Sequence, residues 1–389
     1  MLKEYCFGTN CKQGFYLIDS NILVAMGNLY YKGKCKSEEL KNEIIDFILT
    51  ARRYGVQNQF ALVELCYDYN TNQINTEAMQ KIMIAYDNLL TSMSDDEIVN
   101  HKGAGDFCIS NKDKQQKNYK SIYDCNLPLY MFGETGKELK ITFLVMYLYM
   151  LKIYQLYFNH NVDSFDKIKL LFEFMTKEVD VLLANEFLMA TLLFIGNNNE
   201  KNIAKRVFKP KEKPELMHVL NATIDVFQYR MASAFAEMFA QMWNPIFIKF
   251  VTADKPLQDF MDHVNTYNTV ISKDMITSLN IYNMDVAEKY REKWADYSNN
   301  VMNPIMKDRY FQLHLGGSKL SLDFEEKVKK NIILLEQEIL SCMRGTLKRA
   351  TPEAMLLSLM SQVKVCKHPF LLTHYTMSRT EWSLHLATG

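Results

Sequence analysis

Asp19 and Asp254 each follow a short apolar run. Phe15-Tyr16-Leu17-Ile18 precedes the first, and Ile246-Phe247-Ile248-Lys249-Phe250-Val251 leads through Thr252-Ala253 into the second. Runs of that length and composition read as buried strands. Open parallel sheets bind ligands beyond the carboxyl ends of their strands, which is where both acids fall. Glu64 and Asp225 lie near the starts of helices expected to flank those strands. Four carboxylates at one sheet edge repel one another unless a cation sits between them. Mg²⁺ or Mn²⁺ is the natural counter-charge, because hard cations prefer oxygen ligands. Such ions activate water and neutralise the charge that develops in a phosphodiester displacement.

Each acid also has a plainer role open to it. Asp19 suits a helix N-cap, and Asp254 suits the N-cap of a helix with Pro256 in its first turn. Glu64 and Asp225 could be ordinary helix-surface residues. Glu186 has Leu182, Leu183, Met189 and Ala190 as its neighbours at helical spacing. An ionised carboxylate there is costly unless it is paired or metal-bound. It is either salt-bridged to a buried Arg or Lys, or a further metal-site acid that could replace Asp225.

The elements that must position these residues alternate strand and helix. Residues 15–18 read as the first strand, 22–29 continue at helical spacing, and 38–54 form an amphipathic helix closed by Gly55. Residues 56–60 read as a second strand, followed by the helix carrying Glu64 and another over 76–92. Residues 93–136 are polar and read as an insertion or long loop. Apolar helices are expected over 138–157 and 165–196, then a basic loop over 197–214. A helix over 215–242 leads to the strand ending at Val251. Beyond Asp254 the periodicity is helical, with candidates at 284–300, 323–343 and 352–365. Single strands each followed by helix indicate an α/β sheet with crossover helices.

The 389 residues are 48% hydrophobic and 12% aromatic, with only 14 Gly and 8 Pro, which suits a folded, helix-rich chain. Lys+Arg and Asp+Glu balance at 45 each, so there is no basic coat for non-specific nucleic-acid binding. Local basic patches remain open, and Lys201, Lys205, Arg206, Lys209, Lys211 and Lys213 make one: a phosphate-binding flank or a solvated loop. Eight cysteines with no CxxC pair read as reduced thiols. The amino terminus has no apolar signal core, and the run 141–150 is too short for a bilayer, so a cytoplasmic protein with no membrane is expected. His101-Lys102-Gly103-Ala104-Gly105 lacks the strand and Lys-Ser/Thr of a phosphate loop. No Ser-His-Asp or Cys-His arrangement stands out.

Leu17-Ile18-Asp19-Ser20-Asn21-Ile22-Leu23 resembles the opening motif of the PIN-domain nucleases, an apolar strand followed by Asp-x-Asn. Val251-Thr252-Ala253-Asp254-Lys255-Pro256-Leu257 looks like the closing motif, with Thr-x-Asp after a strand. Glu64, in Phe60-Ala61-Leu62-Val63-Glu64-Leu65, matches the glutamate of the second motif. Asp225, in Leu220-Asn221-Ala222-Thr223-Ile224-Asp225, matches the aspartate of the third. The resemblance covers residues 14–92 and 180–265.

It implies a PIN-like parallel sheet flanked by helices. Residues 1–92 and 180–275 would form the nuclease core, 93–179 a mainly helical insertion, and 276–389 a helical C-terminal region. It also implies a metal-dependent endonuclease, a hydrolase of phosphodiester bonds that acts on RNA in preference to DNA. Asp19, Glu64, Asp225 and Asp254 would be its catalytic metal ligands for Mg²⁺ or Mn²⁺, with Glu186 as a further candidate. Asn21 and Thr252 would orient the ligands or bind phosphate, and Lys205 and Arg206 would face the substrate backbone. Asn21 equally suits stabilisation of the turn. Large helical additions suit a toxin or an antiviral, anti-phage effector, with a homo-oligomer or a regulatory protein as partner. Two other readings stay open: a catalytically inactive PIN-like module that binds nucleic acid or protein, and a structure-specific DNA nuclease.

Overall fold

A computed structural model describes residues 1–8, 13–107, 119–134, 136–210, 215–242, 246–271, 276–282, 284–314, 321 and 323–343. The candidate helix at 352–365, together with Lys211 and Lys213, lies outside them.

The chain opens with β1 (Lys3–Gly8), β2 (Gly14–Ile18), α1 (Ser20–Lys32), α2 (Glu38–Ala51), β3 (Gly55–Gln57) and α3 (Gln59–Cys66). A small hairpin of β4 (Tyr67–Asp68) and β5 (Gln73–Ile74) precedes α4 (Thr76–Asp87) and α5 (Asp95–Val99). Next come α6 (Leu127–Phe132), α7 (Lys137–Phe158), α8 (Ser164–Glu173), α9 (Ala184–Ile195), α10 (Asn198–Phe208) and α11 (Leu216–Met242). Then follow β6 (Phe247–Thr252), α12 (Lys255–Met261), the hairpin β7 (Val264–Ile271) and β8 (Ile276–Tyr282), α13 (Arg291–Tyr297), α14 (Asn303–His314) and α15 (Phe324–Met343).

The main sheet has the order β1-β6-β2-β3. β2 runs parallel to both β3 and β6, whereas β1 pairs antiparallel to β6. The sheet is therefore mixed, where a parallel one was expected. Strand β1 was not anticipated at all. It covers what would otherwise be an open edge of β6.

Alternation along the strands splits the core in two. Leu17, Ile248 and Phe250 face a layer containing α7, α9, α11 and α15, while Tyr16, Ile18, Phe247 and Val251 face α1, α2, α3 and α4. Helix α7 is the axis of the larger layer. It buries Phe143, Met146, Tyr147, Tyr149, Leu151 and Tyr154 fully. At about 1.5–3 kcal/mol for each large side chain, this outweighs its weak amphipathicity and fixes it as a core helix. By length and composition α7 could also cross a bilayer, contrary to the reading of 141–150 as too short, yet its side chains pack inside this core. The hydroxyls of its buried tyrosines Tyr147, Tyr149 and Tyr154 are bonded. Tyr149 donates to the Val181 carbonyl at 2.5 Å, and Tyr154 accepts from the Glu215 N–H at 3.2 Å.

Several expected boundaries move. Residues 165–196 do not form one helix. A wide turn over Phe174–Val179 ends at Asp180, which adopts a left-handed backbone (φ 66°), and α9 starts afresh at Ala184. Arg309 holds the break by donating to the Thr176 carbonyl at 2.7 Å and to Asp180 Oδ1 at 2.5 Å. The stretch 197–214, expected as a loop, contains α10. Asn197 caps it by accepting from the Glu200 N–H at 3.0 Å, and Ile203, Ala204, Val207 and Phe208 form its buried stripe. The region after Asp254 is not wholly helical either, since β7 and β8 pair antiparallel there. Gly55 opens β3 instead of closing α2. Gly33 does end a helix: it caps α1 at φ 62°, and a Cβ there would meet the Lys102 carbonyl oxygen at 2.5 Å. The segment His101–Gly105 supplies donors to α1, with the Ala104 and Gly105 N–H groups bonding the Tyr30 and Tyr31 carbonyls. Cys6, Cys35, Cys66 and Cys125 are free thiols.

Candidate acidic site

The pairing of β2 with β6 in parallel register, Leu17 against Phe250 and Ile18 against Val251, brings both strand ends to one edge. The Asp19 N–H extends the ladder by bonding the Val251 carbonyl at 3.0 Å. Alternation then directs Asp19 and Thr252 toward the α11 side, like Leu17 and Phe250. Both are buried. Thr252 Oγ1 donates to Asp19 Oδ2 at 2.7 Å, and Asn21 Nδ2 donates to the same oxygen at 3.0 Å. Ser20 Oγ donates to Oδ1 at 3.3 Å. The Asp19 side chain makes no cap bond to α1, so the N-cap role is not the one it fills. Asn21 and Thr252 both orient this carboxylate.

Asp254 does cap a helix. Its Oδ1 accepts from the Leu257 N–H at 3.2 Å, with Pro256 in the first turn of α12. Its own N–H donates to Thr252 Oγ1 at 3.0 Å, so one threonine hydroxyl links the two aspartates. Glu64 lies on α3, which starts directly after β3. Its Oε2 accepts from Gln228 Nε2 at 3.0 Å. Asp225 lies one turn before Gln228 on α11 and has Lys209 Nζ 3.9 Å away. Lys209 closes α10 in a left-handed conformation (φ 48°), an uncommon one for a residue with a side chain.

The charges report on the convergence. Burial raises the Asp19 carboxyl above its ordinary value, and the charges of Glu64 and Asp254 add to the rise against the pull of Thr252 and Asn21. Asp225 is pushed well up, first by burial and then by the charge of Glu64, with Asp19 and Asp254 adding to it and Lys209 opposing. Asp225 thus feels the charges of the other three acids, and Asp19 those of Glu64 and Asp254, although they come from four different segments of the chain. A cation among them would offset that repulsion, and the donor set of hard carboxylate oxygens suits Mg²⁺ or Mn²⁺. As the side chains lie, Asp19, Glu64 and Asp254 accept hydrogen bonds from the protein and Asp225 faces Lys209, and among the described residues no three stand as a ready metal cage.

Glu186 does not join this group. Arg230 Nη2 donates to its Oε2 at 2.6 Å, and both side chains are fully buried. The salt-bridge alternative is the one realised, and the guanidinium already supplies the counter-charge that a metal would. Arg206 is likewise engaged. It pairs with Asp259, which also binds Lys255 Nζ at 2.6 Å. Burial works against Asp259 ionising, but these two cations hold its carboxyl below the usual range. Lys205 is exposed on α10. Gln228 was missed from sequence. Its position one helical turn after Asp225 was the available signal.

No family model, no curated protein and no solved structure matches this chain.

Proposed function

We propose that this chain is a metal-dependent endonuclease that hydrolyses phosphodiester bonds, with RNA as the favoured substrate, on a PIN-like arrangement of the sheet. One observation carries the reading: Asp19 and Asp254 leave adjacent parallel strands at the same edge, where the buried Asp19 also interacts with Glu64 and Asp225. Mg²⁺ or Mn²⁺ bound by Asp19, Glu64, Asp225 and Asp254 would supply activated water and charge neutralisation. The remaining work belongs to the chain. Thr252 and Asn21 fix the rotamer of Asp19, Gln228 aims Glu64, and the helix cap holds Asp254. Lys209 offsets part of the excess negative charge, and Lys205 on the same helix offers an exposed cation to a phosphate chain.

A second reading, a non-catalytic binding module on the same fold, is favoured by the engagement of every carboxylate with a protein donor. Incubating the protein with labelled RNA and matched DNA in Mn²⁺ separates the two. We expect cleavage of RNA. Asp19→Asn and Asp254→Asn should each lower it by more than about 100-fold, since loss of a metal site's outer partners alone costs about 10–100-fold. Variants that cut as well as the parent would overturn the site. A parent that binds nucleic acid without cutting it would select the binding module, and preferential cutting of DNA would select the structure-specific nuclease.

A further inference from the structure

Gln228 is 1% exposed, and its side-chain amide lies at the border of the acidic site. Nε2 donates to Glu64 Oε2 at 3.0 Å. An ionised carboxylate only accepts hydrogen bonds, so this contact fixes which end of the amide faces Glu64. The other end, Oε1, is buried and has no hydrogen-bond partner among the described residues. A buried carbonyl oxygen left unpaired costs about 1–3 kcal/mol, and in a folded core such a group calls for a reason. Both amide atoms share one carbon, so Oε1 lies next to the Glu64 carboxylate that Nε2 touches. Asp225 lies three residues earlier on α11, on the same face of the helix.

We infer that Gln228 Oε1 is a neutral oxygen ligand for the divalent cation, supplied beside the four carboxylates. This rests on the metal-site reading above and extends it to a residue outside the acidic set. The chemistry favours a neutral donor at this point. The site already gathers four like-charged carboxylates. A fifth carboxylate would deepen that repulsion, whereas an amide carbonyl adds a hard oxygen without adding charge. The same side chain then does two things: its N–H positions Glu64, and its carbonyl faces the cation.

The test measures Mn²⁺ binding by calorimetry and melting temperature with and without Mn²⁺, on the full chain, with RNA cleavage followed in parallel. Gln228→Leu should weaken Mn²⁺ binding about tenfold, the scale on which such supporting groups act. Its metal-free melting temperature should change little, because an unpaired polar atom is removed along with the Glu64 contact. Gln228→Glu should melt lower than the parent without metal and gain more on adding Mn²⁺, since a fifth negative charge is relieved only by the cation. A purely structural Gln228 would lower the melting temperature in both variants and leave the Mn²⁺ gain as it is in the parent. Parental Mn²⁺ affinity in a folded Gln228→Leu, or a parental Mn²⁺ gain in Gln228→Glu, overturns the inference. If the parent binds Mn²⁺ and Gln228→Leu weakens it while no nucleic acid is cut, the nuclease reading falls and the ligand assignment stands. If the parent binds no Mn²⁺, both fall.

Discussion

At the scale of single residues, Asp19 and Asp225 are carboxyls placed where ionisation is disfavoured. Their folded-state proton affinity exceeds that of the unfolded chain. The stability they contribute is therefore complete below the ordinary carboxylate value of about 4, and is lost as pH rises through their raised values. Without metal, the melting temperature of the parent should fall between mildly acidic and neutral pH. Asp225→Asn should flatten that fall and melt higher than the parent at neutral pH, while losing the Mn²⁺ gain. Melting curves in EDTA across that range check this, and parallel curves for the two proteins would refute it. Cleavage should show the opposite trend and rise with pH as the carboxyls ionise.

At the scale of elements, α9 and α11 are joined through the core by Glu186 and Arg230. Glu186 Oε1 and Arg230 Nε and Nη1 have no hydrogen-bond partner among the described residues, so the pair is incompletely satisfied. Removing one partner strands a buried charge. Glu186→Leu should cost about 3–5 kcal/mol in urea unfolding. Replacing both, as Glu186→Met with Arg230→Leu, should restore stability to within about 1 kcal/mol of the parent or above it. Cleavage in the double variant should stay at the parental level, because Glu186 does not touch the acidic site. A large loss of cleavage in a stable double variant would return Glu186 to the site.

At the scale of the whole molecule, the described residues of the segment anticipated as an insertion and those up to Met343 of the anticipated C-terminal region share one hydrophobic layer with the sheet. Helix α15 is tied in by Glu336, which is buried. Its carboxylate accepts from Ser121 Oγ at 2.6 Å, the Ile122 N–H at 3.0 Å and the Tyr147 hydroxyl at 2.8 Å, and Tyr119 donates to Tyr147 at 3.0 Å. Residues more than 180 positions apart are thereby fastened around α7. Glu336→Leu should destabilise the chain by about 2–3 kcal/mol in urea, since two buried donors and the half-buried Ser121 hydroxyl lose their acceptor at once. If α15 packed as an independent unit, unfolding would instead show a separate early transition.

The sequence by itself determined what local periodicity encodes. The strands after which Asp19 and Asp254 stand and the helices α2, α4, α7, α11 and α15 were all legible, because apolar alternation and helical spacing involve near neighbours in the chain. The apolar stripe of α10 was legible too, but its basic residues obscured it. Only the tertiary structure decided the rest. The antiparallel β1 exists through its pairing with β6 some 240 positions away, and the break at Asp180 through Arg309, 129 positions away. The fate of each carboxylate was also decided at long range. Glu186 is neutralised by Arg230, Arg206 is drawn to Asp259, and Glu64 meets Gln228 across 164 positions. A carboxylate's role depends on which charges and donors surround it, and in a folded chain those neighbours come mostly from elsewhere in the sequence.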